Sequence, residues 1–295
     1  MNRRDQILAK ANSVQYLPPY RIKLLRVLSN PDVSTATITR AIECDPALTA
    51  NVLRLANSAY FGFARSVASV SDAVWRLGTR TLSQLVLASI VSTTQKQAVR
   101  GYDLPPGDML KHSLGVAVGA EKLRCALNLP PCNHLFSAGI LHDIGKVALA
   151  TFVEVNAQPI LDLANRQKLT FVDAERLVLG IDHAEVGAFL AEKWNLPPDL
   201  VEIVRWHHEP EQFGSTNPAG ELVHIADMLC ITGGLGIGTD GLRYRSSAEV
   251  TARIGMTEHL AEQMMVAILT GIQDLEGSFG DEREAPHVNA AARRR

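Results

Sequence analysis

The run Leu141-His142-Asp143-Ile144-Gly145-Lys146, entered through the apolar Ala138-Gly139-Ile140-Leu141, constrains this chain most. An unpaired charge in apolar surroundings is costly, so a carboxylate and an ammonium placed there need partners brought in from elsewhere in the fold. Imidazole and carboxylate are standard ligands of first-row metals, and a carboxylate can bridge two ions. Lys146 stands three residues after Asp143, a spacing that puts both on one helical face beside a phosphate-facing metal site. The pair alone is weak evidence, since an N-capping or surface Asp beside an ordinary His looks the same.

The rest of the sequence predicts an all-α fold. Apolar residues recur with helical periodicity, aromatic residues are only 5% of the chain, and no Asn-Gly turn joins two alternating runs. Residues 5–15 and 20–29 read as helices separated by Leu17-Pro18-Pro19, and a third helix begins after Asn30-Pro31-Asp32. Asp45 is a candidate N-cap with Pro46 at the first helical position. Ser71 can cap the helix that follows, Gly78 supplies a left-handed stop, and Thr79 can cap the next. Leu104-Pro105-Pro106-Gly107 is the best internal boundary.

A net charge of −2 on 295 residues leaves no bulk polycation for a nucleic-acid backbone, so nucleic acid is a disfavoured partner. No apolar run reads as membrane-spanning, and no signal-peptide core follows Met1, which points to a cytoplasmic protein. Cys44, Cys125, Cys132 and Cys230 lack the two-residue spacer of a metal-binding or redox motif and read as reduced, packed thiols. Gly233-Gly234-Leu235-Gly236-Ile237-Gly238 has no strand before it and no Lys-Ser/Thr after it, so it reads as a flexible inter-helix loop rather than a phosphate cradle.

Asp45-Pro46-Ala47-Leu48, Leu53-Arg54-Leu55-Ala56-Asn57-Ser58-Ala59-Tyr60-Phe61-Gly62 and Val70-Ser71-Asp72-Ala73-Val74-Trp75-Arg76-Leu77-Gly78 together resemble the HDOD domain, the HD-related output domain of bacterial signalling proteins. The resemblance runs from about residue 10 to residue 270. It implies an N-terminal helical lobe over residues 1–100, packed on an HD-like metal-binding lobe over residues 101–275, with residues 276–295 expected as a flexible tail. It also implies a role in signal transduction, with partners that are signalling proteins or a phosphoester or nucleotide ligand.

Compared with metal-binding HD proteins, His112, His142, Asp143 and Asp227 match the four ligands of a mononuclear site, and His183, His207 and His208 match the additional histidines of a binuclear one. The resemblance makes Asp143 the bridging ligand and Lys146 the phosphate-facing lysine. It also aligns Asp108 with a carboxylate of the related HD-GYP phosphodiesterases, and Glu209 with the acidic residue after the paired histidines. The expected cofactors are one or two metal ions; mixed His and carboxylate ligation suits Fe or Mn, and Zn is compatible with the same donors. If the site is catalytic, it is that of a metal-dependent phosphohydrolase or cyclic-nucleotide phosphodiesterase, with Lys146, Asp108 and Glu209 as its catalytic groups. Pro210-Glu211-Gln212-Phe213-Gly214 replaces the Gly-Tyr-Pro loop that serves cyclic dinucleotides in HD-GYP enzymes, which argues against that substrate. His134 and His224 lie one or two turns from the ligands and read as solvated polar helix residues, with support behind the ligands as the alternative.

Overall fold

A computed structural model of the chain describes residues 2–13, 16–28, 33–213, 218–241, 243–276 and 278–279. The segment Asn30-Pro31-Asp32 and nearly all of the expected tail lie outside the described residues. Among the described residues the architecture is all-helical, and the single pairing of extended backbone is an isolated bridge between Val99 and Leu104.

The first half is built from α1 (Arg3–Ser13), α2 (Pro19–Leu28), α3 (Thr35–Glu43), α4 (Pro46–Ala56) and α5 (Val70–Gln95). Asp45 caps α4 as expected, accepting from the Leu48 N–H at 3.0 Å, with Pro46 at the helix start. The cap of α5 is Ser69 rather than Ser71: its extended backbone sets the hydroxyl where the Asp72 N–H can donate to it, whereas Ser71 already lies inside the first turn. Gly78, at φ 76°, breaks the helical geometry of α5 where the sequence places a stop, and the helix resumes directly.

The second half follows as α6 (Asp108–Ala126), α7 (Leu135–Leu141), α8 (Gly145–Gln167), α9 (Phe171–Leu179), α10 (His183–Lys193), α11 (Pro198–Trp206), α12 (Pro218–Thr232), α13 (Ala248–Ile254) and α14 (Glu258–Glu276). α6 is the centre of this half, packed against α7, α12 and α14, while α8 packs on α9 and α10. α5 leans on α6 and α7, so one apolar core runs through both halves. α1 crosses to the far side and lies on α8 and α10, held by Arg4 on Glu185, the Arg3 guanidinium on the Val178 carbonyl and Lys193 on the Asn12 carbonyl.

Residues Leu135–Gln167 form one continuous stretch long and apolar enough to cross a membrane, which the sequence reading did not single out; 78% of its most apolar window is buried inside the fold. The turn at His142 and Asp143 divides that stretch into α7 and α8. The cysteines are all free, and only Cys230 is buried; Cys44 and Cys125 are exposed and Cys132 is intermediate, so most are not packed in the core as expected.

Candidate metal centre

Three junctions and two helix interiors bring the predicted ligands together. His112 comes from the second turn of α6, and His142 and Asp143 from the turn between α7 and α8. His183 opens α10, His207 and His208 follow the end of α11, and Asp227 lies within α12. Local chemistry explains these positions. Asp182 caps α10 by accepting from the Glu185 N–H at 2.7 Å, which sets His183 in the first turn. Gly145 lets the start of α8 meet the start of α10: a Cβ there would lie 1.9 Å from the His183 carbonyl oxygen.

The donors fall into two groups, Asp143 with His183, His207 and His208, and His112 with His142 and Asp227. The Asp143 carboxylate lies between them. Its Oδ1 is 3.4 Å from His183 Nε2 and 3.7 Å from His207 Nε2, while its Oδ2 is 3.6 Å from His112 Nε2 and 3.5 Å from His142 Nε2. Asp227 Oδ1 is 3.1 Å from His112 Nε2, and its Oδ2 is 3.8 Å from His208 Nδ1. Six of these seven side chains are buried, and His208 alone is intermediate.

The far side of most rings is already committed. His112 Nδ1–H donates to the Leu235 carbonyl (2.9 Å), His142 to Gly139 (2.7 Å) and His207 to Val204 (2.7 Å), while His183 Nδ1–H donates to Glu175 Oε2 (2.7 Å). Each Nε2 therefore faces inward. The nitrogen pairs His112–His142 and His183–His208 approach to 3.2 and 2.9 Å, and a proton between each can satisfy them. Three buried atoms of the centre have no hydrogen bond: Asp143 Oδ1, His207 Nε2 and Asp227 Oδ2. Buried polar atoms are normally satisfied, and two carboxylate oxygens and an inward ring nitrogen form a donor set that a cation answers. The residues present thus fit a metal.

The electrostatics separate the groups further. Burial pushes the Asp143 carboxyl up, but Lys146 and the surrounding imidazoles hold it well below the usual carboxylate range. Burial pushes Asp227 up, but its bond to His112 together with the charges of His142 and His112 pulls it down to about 2. Burial lowers His112 and His183, yet Asp227 and Glu175 respectively leave both above the ordinary histidine value. His207 and His208 are lowered by burial and, for His208, by the neighbouring imidazoles.

The expected catalytic groups are differently placed. Lys146 Nζ lies 2.8 Å from Asp143 Oδ2 and 2.7 Å from Asp240 Oδ2, beneath the rings of Tyr102 and Tyr244. Burial opposes its charge, and the two carboxylates more than offset this and raise its pKa. Glu209 is paired with Arg176, which also binds Asp182. Asp108 is the first residue of α6, one turn from His112, and neither donor group includes Asp108 or Glu209.

Four contributors escaped sequence reading. Glu175, Asp240, Tyr102 and Tyr244 are distant in sequence from the ligands and carry no spacing signal, although the apolar surroundings of Glu175 in Phe171–Leu179 could have marked it as a buried acid. His224 is a correction. It is fully buried, donating from Nδ1 to the His207 carbonyl at 2.7 Å and accepting from the Ser247 N–H at 3.0 Å, because α12 packs beside the α11 turn. His134 is partly exposed, as expected. The Gly233–Gly238 segment is not a loose loop: Leu235 holds His112, and a Cβ on Gly236 would come within 2.6 Å of His112 Cβ.

A cavity of about 300 Å³ reaches His208 and Tyr244 and is lined also by Thr170, Asp173, Glu209, Glu211 and Arg245.

The chain matches the HDOD domain family over residues 14–210. An uncharacterized protein of Treponema pallidum (strain Nichols) is 30% identical over 220 residues, which are 70% of this chain and 40% of that protein; the chain thus spans less than half of this curated relative. Among solved structures, a protein of Shewanella amazonensis SB2B named "Putative phosphohydrolase" superposes with a TM-score of 0.72 at 29% identity, covering 93% of this chain and 98% of its own. An HDOD domain protein of unknown function from Geobacter sulfurreducens does so at 0.64 and 25% identity, covering 90% of each chain.

Proposed function

Because this chain belongs to the HDOD domain family, we propose that it is a metal-binding regulatory protein of bacterial signal transduction, acting in the cytoplasm on signalling partners, with two ion positions that share Asp143. The observation that carries this reading is the set of three buried atoms without a hydrogen bond, Asp143 Oδ1, His207 Nε2 and Asp227 Oδ2, among seven converging side chains. His112, His142 and Asp227 would hold one ion, and His183, His207 and His208 the other. The mixed donor set favours Fe or Mn over Zn.

A bound ion supplies Lewis-acid polarisation and charge neutralisation. The chain's own groups favour regulation over turnover. Lys146, the group that would meet a phosphoryl oxygen, already has both its charge partners in Asp143 and Asp240. Glu209 is occupied by Arg176.

A second reading, metal-dependent phosphohydrolase or cyclic-nucleotide phosphodiesterase, is favoured by the cavity reaching His208 and by the phosphohydrolase name of the Shewanella amazonensis neighbour. There Lys146 would release Asp240 to meet the phosphoryl group, and Asp108 or Glu209 would accept a proton.

The test is metal content by mass spectrometry on the native chain and on Asp143→Ala, purified without added metal and then supplied with Fe(II) or Mn(II) under reducing conditions. Two ions per native chain, both lost in the variant, is the expected result; a folded native chain that takes up none overturns it. With metal in place, phosphoester turnover abolished by Lys146→Ala would establish the second reading.

A further inference from the structure

We infer that Glu175 is the positioning residue that lets the group around His183 hold an ion of its own. This deepens the metal reading above and rests on it.

The two donor groups are unequal in charge. The group of His112 and His142 owns a carboxylate, Asp227, whereas the group of His183, His207 and His208 shares Asp143 and meets Asp227 only through its outer oxygen, 3.8 Å from His208 Nδ1. Ions held by groups that share one carboxylate are close neighbours and repel each other, so the second needs a negative charge from elsewhere. Among the described histidines of the centre, the rings of His112, His142 and His207 are backed by main-chain carbonyls, which are neutral. His183 alone donates its Nδ1–H to a carboxylate, Glu175 Oε2 at 2.7 Å, which also accepts from the His183 main-chain N–H at 3.2 Å; His208 Nδ1 faces Asp227 Oδ2 only at 3.8 Å. Glu175 is fully buried, as is His183, so little solvent screens this contact.

The other oxygen is fixed as well. Glu175 Oε1 accepts from the Tyr102 hydroxyl, and Tyr102 is itself fully buried against Phe171 and His183. Every group touching Glu175 is thus a donor, and the carboxylate cannot turn away from the ring. A carboxylate accepting from one nitrogen of an imidazole locks the tautomer, fixes the ring plane and raises the basicity of the other nitrogen. Here that other nitrogen is His183 Nε2, 3.4 Å from Asp143 Oδ1 and 2.9 Å from His208 Nε2. Glu175 is therefore to the His183 group what Asp227 is to the other, with the charge delivered through a ring instead of directly.

Glu175→Gln tests this with little change of shape. The glutamine oxygen can still accept from His183, and the Tyr102 hydroxyl can turn to accept from the amide, so the bonds persist while the charge goes. Manganese is the probe: protein is titrated with Mn(II), bound metal is counted by mass spectrometry, and the electron paramagnetic resonance spectrum separates coupled pairs from isolated ions. The expected result is two Mn(II) per native chain with a coupled spectrum, and in Glu175→Gln one position weakened roughly 10–100-fold, leaving a six-line signal of an isolated ion. In a His183→Ala background the same substitution should cost nothing further, which locates the effect.

Two Mn(II) with unchanged affinities and a coupled spectrum in a folded Glu175→Gln overturns the proposal and leaves the metal reading standing. Fewer than two Mn(II) in the native chain overturns the two-ion reading itself. Should Glu175→Gln not fold, Tyr102→Phe keeps the charge and frees only its orientation. It should weaken the same position by a smaller factor, and equal native affinities there overturn the role of Glu175.

Discussion

At the scale of single residues, the centre is a set of charges that stabilise only one another. Lys146 is held by Asp143 and Asp240 with almost no solvent contact, so removing the ammonium leaves Asp240 buried without a counter-charge, held by the Tyr244 hydroxyl and the Gly241 N–H alone. Lys146→Met should destabilise the metal-free protein by about 3–5 kcal/mol, and Lys146→Met with Asp240→Asn by markedly less than the sum of the two single changes, as read by urea denaturation. Protons and ions compete for the same nitrogens. In the metal-free protein His112 and His183 sit above the ordinary histidine value, since Asp227 and Glu175 outweigh burial. For a raised pKa the sign is that this stabilisation is complete below the unfolded value of about 6.5 and is lost as pH rises through the folded value. Loading must expel those protons. Uptake of Mn(II) should release protons in a pH-stat at pH 6.5 and fewer at each higher pH; release that is flat with pH would contradict protonation at these two rings.

Elements bring the candidate metal donors together because their ends meet closely. The start of α8 touches the start of α10 at Gly145, where a side chain would overlap the His183 main chain. Gly145→Ala should destabilise by roughly 2–4 kcal/mol and lower metal occupancy together, measured by thermal melting and metal content, because separating the helices also moves His183. The ligand-bearing elements were legible in the sequence. Helix caps such as Asp45 and Asp182 and the break at Gly78 are local signals, and the chain obeys them. Ligand types matched a known pattern, so His112, His142, Asp143, His183, His207, His208 and Asp227 could be named before their convergence was visible. What supports them could not. Glu175, Asp240 and His224 act through contacts 8, 94 and 17 residues away along the chain, and no period of helix or strand relates such separations. The Gly233–Gly238 stretch failed for a related reason: glycines that allow flexibility are also what close packing against α6 requires, and composition does not distinguish the two.

Across the whole molecule, α1 crossing to α8 and α10 and α5 leaning on α6 and α7 tie the two halves into one core. An ion held by the folded state alone therefore stabilises all of it. Saturation at about a hundredfold over Kd should add ~2.7 kcal/mol per ion. For a chain of this size that raises the melting temperature by roughly 4–5 °C per ion, reversed by chelator in differential scanning calorimetry. An unchanged melting temperature on chelation would place the metal outside the cooperative core. The distance along the chain from His112 to Asp227 has a consequence for the order of assembly. His183, His207 and His208 can gather around Asp143 once α11 is in place, but the group of His112 and His142 lacks its carboxylate until α12 docks. Long-range contacts of this kind form late because their loop-closure entropy comes first. Occupation of the pair of positions is thus an end point of folding, a seal on a chain already closed, and a protein emerging from the ribosome has no complete centre to load until Asp227 is made.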